Sequence, residues 1–473
     1  MKANQLLFCA ALALFAGGCS VGPNYHPPIV NVPGQWGEPL AGGATNREES
    51  LGAWWKNFHD SELDSLIERA VKTNLDLRIA EARVRQARAQ QGYAKADFGP
   101  KVNTSGSYTR QKQSKNQPII GAIPISPSVP FENNIYQAGF DATWEIDIFG
   151  GKRRAAEAAT ANLSVVELNR RGVLVTLLSE LARNYVLTRG SQAQLAIARQ
   201  QIKSQAETVS ITQSRVDHGA ATDLDLQRAL ALLATLQAQV PPIENSIETS
   251  VHRLGVLLDQ PPDALQQELS VTAPIPASPP EVPVGLPSDL LRRRPDVQSA
   301  ERQLAAETAR IGQNKADLFP KFSLTGSAGL DSVSTSDFFA PGSRIFSIGP
   351  TVQWRIFDFG RVCASIRAQT AVRDQARLTY EETVLNSLED AENSLVAYSK
   401  EQAHRHWLEQ AVTANQKAVH IASRLYDQGL GNYLSLLDAQ RTLYSSQDQL
   451  VQSELAVTVN LIALYKALGG GWD

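Results

Sequence analysis

The sequence predicts a mainly α-helical chain that carries a membrane β-sheet and consists of two similar halves. Three observations support this fold class. One short motif occurs twice, a stretch of alternating polar and apolar residues follows each copy, and a long helical segment follows each stretch. The alternation has the period of a strand, and the long segments have the period of a helix. Each half is therefore predicted to contain a β-hairpin and a helical hairpin.

The repeated motif defines the two halves. It reads Ala-Asp-Phe-Gly-Pro-Lys at 96–101 and Ala-Asp-Leu-Phe-Pro-Lys at 316–321. Each copy ends a helical stretch and starts a strand, because proline cannot continue a helix. Matches extend through the chain, for example Trp144 with Trp354. A period of about 200 residues is too long for a solenoid and indicates a duplicated domain.

The strands have one apolar and one polar face. In the first half, apolar residues alternate with polar ones from Tyr136 to Ile148. In the second half the apolar positions are Phe346, Ile348, Val352, Trp354 and Ile356. Such strands of about ten residues are typical of membrane β-barrels, and a soluble sandwich is the alternative. Trp144 and Trp354 are read either as interfacial belt residues or as packing residues where strands meet helices.

Four strands per chain are too few to close a barrel, because membrane barrels begin at about eight strands. An open sheet edge in lipid would leave backbone groups unpaired, at a cost of several kcal/mol each. The barrel is therefore predicted to be shared between chains. Two chains would supply about eight strands and three about twelve, and the strand pattern does not choose between them.

Two long helical hairpins follow the strands. Residues 361–428 contain no glycine or proline, which allows one helix of roughly 100 Å, and 152–218 form the counterpart. Returning helices are predicted from Asp223 to about Leu258 and from Tyr433 to about Leu468. Coiled-coil spacing is followed by Val384, Leu388, Ala391, Leu395 and Tyr398, and then by Leu408, Val412, Asn415, Val419 and Ala422.

The N-terminus predicts export. Lys2 and the apolar run 6–16 have the layout of a secretory signal. The following small residues lead into Cys19, which resembles the lipidated cysteine of bacterial lipoproteins, although Ala16 stands where a larger aliphatic residue is usual. Ser20, in place of aspartate, resembles an outer-membrane sorting signal. An ordinary signal peptide with an incidental cysteine is the alternative.

Composition and motifs disfavour other classes. A net charge of -3 argues against a nucleic-acid binder. Residues 326–329 lack the context of a nucleophile elbow, and 151–152 lack that of a P-loop. No enzyme activity, cofactor or metal is predicted. The arginines at 292–294 are read as a solvated cluster, and Cys363 is read as a small packing residue.

Several motifs together resemble the outer-membrane efflux lipoproteins of the TolC-like, OprM/NodT branch. They lie at 19–27, 54–55, 289–296, 300–302, 316–326, 433–443 and 465–472. The resemblance covers essentially the whole mature chain. It implies a homotrimer with a twelve-strand transmembrane β-barrel, four strands per chain, which continues as a long antiparallel α-helical barrel beside a small mixed equatorial region.

The resemblance also implies a function. The chain would be the outer-membrane exit duct of a tripartite efflux pump, with a periplasmic adaptor (membrane fusion) protein and an inner-membrane transporter of RND type. It would conduct drugs or other toxic compounds passively. A dedicated secretion or export channel is one alternative, and a non-conducting periplasmic coiled-coil scaffold is the other.

The resemblance further implies site residues at the ends of the helical hairpins. Leu434 and Asp438 match the periplasmic gate, and Asp225 matches an acidic position in the closing network. Gly431 stands where some relatives have a basic residue, which puts a salt bridge to Asp225 in doubt. The adaptor is expected to contact Gly219, Ala220, Thr222, Gly429 and Asn432. Cys19 is the expected lipidation (palmitate) site.

The protein is expected in the outer membrane of a Gram-negative bacterium, with extension into the periplasm. The same expectations divide the chain into ten segments. The segments are a signal peptide (1–18), a lipidated arm (19–58), first-half helices (59–100), a first β-hairpin (101–149), a helical hairpin (150–258), a Pro-rich connector (259–288), a second-half helix (289–320), a second β-hairpin (321–359), a second helical hairpin (360–468) and a tail (469–473).

Overall fold

The computed structural model describes residues 20–47, 51–112, 114 and 132–472. The predicted signal peptide, Cys19 and most of the predicted loop at 111–133 lie outside the described residues. The strands are β1 (Ala44–Thr45), β2 (Lys101–Lys112), β3 (Glu132–Ile146), β4 (Val282–Pro283), β5 (Lys321–Ser332) and β6 (Arg344–Gln353). The helices are α1 (Ser61–Thr73), α2 (Leu75–Ala96), α3 (Gly151–Asp217), α4 (Asp223–Leu257), α5 (Leu290–Arg293), α6 (Pro295–Ala316), α7 (Arg361–Asp427) and α8 (Tyr433–Ala467).

The chain divides into two compact units. The first unit contains the described parts of 1–28, 85–164 and 301–378. Its centre is an antiparallel sheet with the strand order β2-β3-β5-β6. The sheet therefore joins one hairpin from each half of the sequence.

The register of the sheet repeats between the two halves. Val102 lies opposite Ala142 in the first hairpin, and the equivalent Phe322 lies opposite Val352 in the second. Directly opposite residues share a face, and even-numbered residues pair with even-numbered ones across all four strands. The even-numbered face is the apolar one predicted from the sequence. Its large side chains are exposed in the single chain, as Phe140 at 63% and Phe346 at 84% show.

The return strands are shorter than predicted. Ile148 lies beyond the end of β3, and Trp354 and Ile356 lie beyond the end of β6. The last pair of the second hairpin joins Lys321 to Gln353. The residue before Lys321 is Pro320, which has no N–H with which to extend the ladder.

Both repeated motifs form the same junction between helix and strand. The Trp144 indole donates to the Phe98 carbonyl at 2.7 Å, and the Trp354 indole donates to the Leu318 carbonyl at 3.1 Å. In each motif the lysine pairs with the aspartate, with Lys101 to Asp97 at 2.9 Å and Lys321 to Asp317 at 2.8 Å. Of the two interpretations of the tryptophans, these contacts favour packing at the junction.

The second unit contains the described parts of 29–84, 165–300 and 379–473. Leu63, Leu66 and Ile67 of α1 are buried in its core, as their helical spacing predicts. The core also contains Trp54, whose ring stacks on Tyr465 at 5.1 Å. The parallel pair of β1 and β4 lies in this unit. Its two-residue strands are too short to leave a pattern in the sequence.

The long helices have the predicted extents. Helices α3 and α7 each contain 67 residues, which corresponds to about 100 Å. Helix α4 remains helical across Pro241 and Pro242. Among the predicted coiled-coil positions of α7, Val384, Ala391 and Tyr398 are fully buried. Cys363 is exposed, so its prediction as a packing residue was wrong.

The prediction of a solvated arginine cluster at 292–294 was wrong for Arg294. Its side chain is only 12% exposed and pairs with Asp296 at 2.7 Å and with Asp390 at 3.1 Å. It also donates to the Ala467 carbonyl at 3.2 Å. Arg294 therefore ties the start of α6 to α7 and to the end of α8. The sequence does not reveal this role, because Asp390 and Ala467 are 96 and 173 residues away from Arg294.

We expect Arg294→Met to lower the unfolding free energy at pH 7 by about 1 kcal/mol, because the mostly buried guanidinium pairs with carboxylates whose side chains are 49% and 59% exposed and remain solvated. Burial raises the pKa of Asp296, but Arg294 outweighs that effect and holds the pKa below its ordinary value. The stabilisation is therefore present at neutral pH and is lost as the pH falls through the lowered pKa. Thermal melts in detergent at pH 7 and pH 3 would measure it, with the exposed Arg292→Met as control. Equal melting of the two variants at pH 7 would contradict the assignment.

Candidate functional site

The predicted site residues lie at the ends of the two helical hairpins. Helices α3 and α7 end with equivalent backbone hydrogen bonds, one in each helix. Ala220 N–H donates to the Arg215 carbonyl at 2.7 Å, and Leu430 N–H donates to the Leu425 carbonyl at 2.9 Å. Gly219 and Gly429 adopt φ values of 70° and 72°. Such values favour glycine in this type of helix end, so both glycines have a structural role at the tips.

The next residues cap the returning helices. The Thr222 side chain accepts from Asp225 N–H and so caps α4, and the Asn432 side chain accepts from Ser435 N–H and caps α8. All five predicted adaptor-contact residues lie in these two turns, and their side chains or backbone are exposed in the single chain. The five residues therefore share one kind of position, an exposed turn that joins the two helices of a hairpin.

Asp225 has a local role in the structure. Its carboxylate accepts from the Thr222 N–H at 3.3 Å and from the Thr222 hydroxyl at 2.7 Å. These bonds complete a capping box, which satisfies backbone donors at the start of α4. Gly431 stands at the position where some relatives have a basic residue. Its N–H donates to the Leu425 carbonyl. A contribution of Asp225 to closure stays a prediction.

Leu434 and Asp438 lie on the exposed face of α8. Leu434 is 53% exposed, Asp438 is exposed one helical turn later, and the intervening Leu436 and Leu437 are buried. Residues four apart are neighbours on a helix surface. The two predicted gate residues therefore share one exposed stripe near the tip.

The first hairpin carries a different residue at one of these positions. Leu224, the equivalent of Leu434, is 57% exposed. The equivalent of Asp438 in the first half is Arg228, a cation in place of a carboxylate. The apolar part of the stripe is therefore duplicated, whereas the acidic part belongs to the second hairpin alone.

Sequence reasoning missed Arg215, which links the two tips. Its guanidinium donates to the Asp427 carbonyl at 3.0 Å and lies 4.1 Å from the centroid of the Tyr426 ring. A cation is favourable at the carbonyl end of a helix and over an aromatic face. The sequence shows only that Arg215 is a basic residue in the last turn of α3. It does not show the contacts, because both partners lie on α7.

Two buried amides, further along the helices, make hydrogen bonds between the hairpins and within the first of them. The Gln440 side chain donates to the Thr208 hydroxyl at 2.9 Å, and the Gln205 side chain donates to the Ala229 carbonyl at 3.0 Å. Both glutamines are buried. Buried amides are costly unless they are hydrogen-bonded. The Gln440 bond therefore favours one arrangement of the second hairpin against the first, and the Gln205 bond holds the two helices of the first hairpin together.

The part of the chain that the structure describes contains no cluster of three or more histidine, cysteine, aspartate or glutamate residues suited to a metal ion. His404 contacts Glu401 at 3.0 Å, one helical turn away. Within the same described ranges, no helix is both long enough and apolar enough to cross a membrane.

Solved structures identify the class of fold. The chain is similar to the outer-membrane channel OprN, with a TM-score of 0.88, 35% identity and coverage of 96% of this chain and 100% of that one. It is also similar to the open state of the MtrE outer membrane channel of Neisseria gonorrhoeae, with a TM-score of 0.81, 25% identity and coverage of 96% and 99%. The fold is that of the TolC-like outer-membrane channels.

The sequence comparisons give the family. The model of the outer membrane efflux protein family matches residues 66–259 and 286–470, and this chain belongs to that family. It is 33% identical over 473 residues to the pyoverdine export outer membrane protein OpmQ of Pseudomonas aeruginosa, with coverage of 99% of this chain and 97% of the relative. It is 32% identical to the toluene efflux pump outer membrane protein TtgC of Pseudomonas putida, with coverage of 99% and 96%.

Family membership confirms the predicted class and location. The chain is an outer-membrane efflux channel of a Gram-negative bacterium. The family consists of channels and not of enzymes. The gate, adaptor and lipidation residues stay predictions.

Proposed function

We propose that this chain is the passive exit duct of a tripartite efflux pump. An inner-membrane transporter of RND type supplies the energy, and a periplasmic adaptor joins the transporter to this channel. The observation that carries the proposal is the sheet of four amphipathic strands, whose apolar face is exposed in the single chain. An apolar face of that size is unfavourable in water and suits lipid. The relatives named for toluene efflux and pyoverdine export support the same reading.

The assembly is a homotrimer in this proposal. Strands β2 and β6 each have one neighbour in the sheet, so each leaves one edge unpaired. Pairing β6 of one chain with β2 of the next closes a barrel of about twelve strands when three chains join. Native mass spectrometry in detergent would measure the number of chains, and a dimer would contradict the twelve-strand barrel.

A lipid anchor holds the N-terminus in this proposal. The small residues before Cys19 and the serine after it have the pattern of an outer-membrane lipoprotein. Acyl chains on the thiol would add to the anchorage that the strands provide. Metabolic labelling with palmitate would detect the modification.

The tips of the hairpins form the gate and the adaptor site in this proposal. Threefold symmetry brings three copies of Asp438 close to the channel axis, where they form an acidic ring that favours cations, and Leu434 narrows the opening beside it. Asp225 contributes to closure. The adaptor binds the exposed tip turns at Gly219, Ala220, Thr222, Gly429 and Asn432.

Accumulation of a fluorescent efflux substrate in cells tests the proposed role. Cells that retain the cognate adaptor and transporter but lack this chain are expected to accumulate more of the substrate, because molecules cannot leave the periplasm. Restoring the chain should lower the accumulation again. Equal accumulation with and without the chain, in cells whose transporter is active, would count against an exit duct.

The name of the OpmQ relative favours a second candidate, export of one secreted product. Such a channel would leave dye accumulation unchanged and would instead control the amount of one compound in the medium. Comparing both readouts in the same pair of strains separates the two functions.

A further inference from the structure

The residues that directly follow Cys19 lie in a closely fitting slot. Residues 20–24, here called the N-terminal strap, contact Gly150, Arg154 and Gly312, here called the slot. The strap and the slot lie in the same compact unit. The Val21 N–H donates to the Phe149 carbonyl at 3.1 Å. The strap is therefore fixed to the segment that directly follows β3.

Arg154 makes most of the polar contacts to the strap. Its side chain donates to the Val21 carbonyl at 3.2 Å, to the Gly22 carbonyl at 3.5 Å and to the Asn24 side chain at 2.7 Å. It also pairs with Glu157 at 2.8 Å, and the whole residue is only 4% exposed. A buried guanidinium is costly unless its donors are satisfied. The strap supplies three of those acceptors, so Arg154 and the strap depend on each other.

Three glycines allow the strap to approach the slot backbone to backbone. A Cβ atom at position 22 would lie 2.4 Å from Gly312 Cα, and Gly22 also has a φ of 97°. A Cβ atom at position 150 would lie 2.8 Å from Ser20 Cα, and one at position 312 would lie 2.8 Å from Arg154 Cγ. A side chain at position 22 or 150 would therefore collide with the opposing segment, and one at position 312 would push Arg154 aside.

The equivalent place in the other half of the repeat is open in the single chain. Gly92 and Gly360, the equivalents of Gly312 and Gly150, have no atoms within 4 Å of an added Cβ. Ala364 stands where the first half has Arg154. The arginine is therefore specific to the place that the strap occupies, and Gly92 offers a matched control for Gly312.

We propose that Arg154 is a positioning residue for the lipid anchor. By locking the strap, it makes the acyl chains on Cys19 enter the membrane at the end of β3, beside the stacked rings of Phe149 and Phe319, whose centroids are 4.6 Å apart. Cys19 is bonded to Ser20, so the modified thiol is one residue away from the contact with Gly150. The inference rests on the proposed lipidation. It adds that the anchor is docked at one place and is not a free tether.

A photoactivatable fatty acid, incorporated by the cells and cross-linked in intact membranes, tests where the anchor enters. In the unsubstituted protein we expect the cross-links on this chain to concentrate at 146–150 and 318–320. In Arg154→Ala the same label should remain attached but scatter over lipid and other parts of the chain. Arg154→Lys should restore the pattern only in part, because lysine cannot supply the forked donors of arginine.

Hydrogen exchange of peptide 20–26 in the purified assembly gives a second readout. Losing the Arg154 contacts, which are hydrogen bonds from a charged donor, should speed exchange there by about tenfold or more. Gly312→Ala, which pushes against Arg154, should do the same in a milder way, whereas Gly92→Ala should leave the peptide unchanged. Exchange elsewhere in the chain reports whether each variant is folded.

The outcomes separate this inference from the proposed function. Absence of incorporated fatty acid in the unsubstituted protein would overturn the lipidation and the positioning together, but not the exit duct. Scattered cross-links in the unsubstituted protein, or unchanged cross-links and exchange in a folded Arg154→Ala, would overturn the positioning alone.

Discussion

A chain with Thr351→Cys and Ser107→Cys is expected to form disulfide bonds between separate chains under mild oxidation. The reason is the repeat in the sheet. Within one chain, Asp141 of β3 lies opposite Ser327 of β5. Thr351 and Ser107 are the equivalents of these residues in β6 and β2. If neighbouring chains pair as the two halves of one chain do, Thr351 lies opposite Ser107 of the next chain.

The chosen pair has the spacing that a disulfide needs. A Cβ atom at Gly329 would lie only 2.8 Å from Gly139 Cα, so that opposite pair is of the close, non-hydrogen-bonded kind. Close and wide pairs alternate along antiparallel strands. The pair two residues on, Asp141 with Ser327, is therefore also close, at about 4.5 Å between Cα atoms. Disulfides accept Cα separations of about 4.4–6.8 Å.

Denaturing gels without reductant should then show species of two and three chains and nothing larger. The double-cysteine chain and its control both carry Cys363→Ser, which removes the exposed cysteine. The control combines Thr351→Cys with Asn103→Cys, which is on the same face but displaced by about 13 Å along β2. Single chains only, or a ladder beyond three chains, would contradict the closed barrel of three chains.

Leu434→Ala is expected to raise the resting conductance of the purified channel in planar bilayers, because it removes the side chains that narrow the opening. Asp438→Asn keeps the shape but removes the charge of three carboxylates. It should lower the preference for cations over anions by about threefold, since a ring of like charges produces a local potential of more than one kT. The reversal potential in a salt gradient measures that preference.

The internal repeat supplies the control for this experiment. Leu224→Ala changes the equivalent exposed leucine of the first hairpin and should leave the resting conductance unchanged. Equal effects of Leu224→Ala and Leu434→Ala would show that the second hairpin has no special role. An unchanged reversal potential in Asp438→Asn would contradict an acidic ring at Asp438 that selects cations.

The sequence was sufficient for the regular elements because their signals are local. Period-two alternation predicted the strands, and the absence of glycine and proline at 361–428 predicted α7. The repeat added a check that a single pattern lacks, since Trp144 and Trp354 donate to equivalent carbonyls in the two halves. The resemblance, and not the periodicity, led to the family and to the gate residues.

The sequence was insufficient where a side chain depends on distant partners. Arg294 looked like part of a solvated cluster, but it is mostly buried against Asp390 and the Ala467 carbonyl. Arg154 had no pattern at all, because the strap that it binds, through two carbonyls and the Asn24 side chain, lies more than 100 residues earlier. Trp354 and Ile356 continued the alternation past the end of β6, since the pattern contains no information about where Pro320 ends the ladder.

Single-channel recording of the unsubstituted protein in planar bilayers is the direct test of passive conduction. In our proposal this chain, assembled with copies of itself, is a duct that conducts without an energy source of its own. We expect discrete current steps in the absence of adaptor, transporter and nucleotide, with a preference for cations that Asp438→Asn reduces. An assembled protein that inserts into the bilayer but shows no discrete conductance, even with Leu434→Ala, would contradict it.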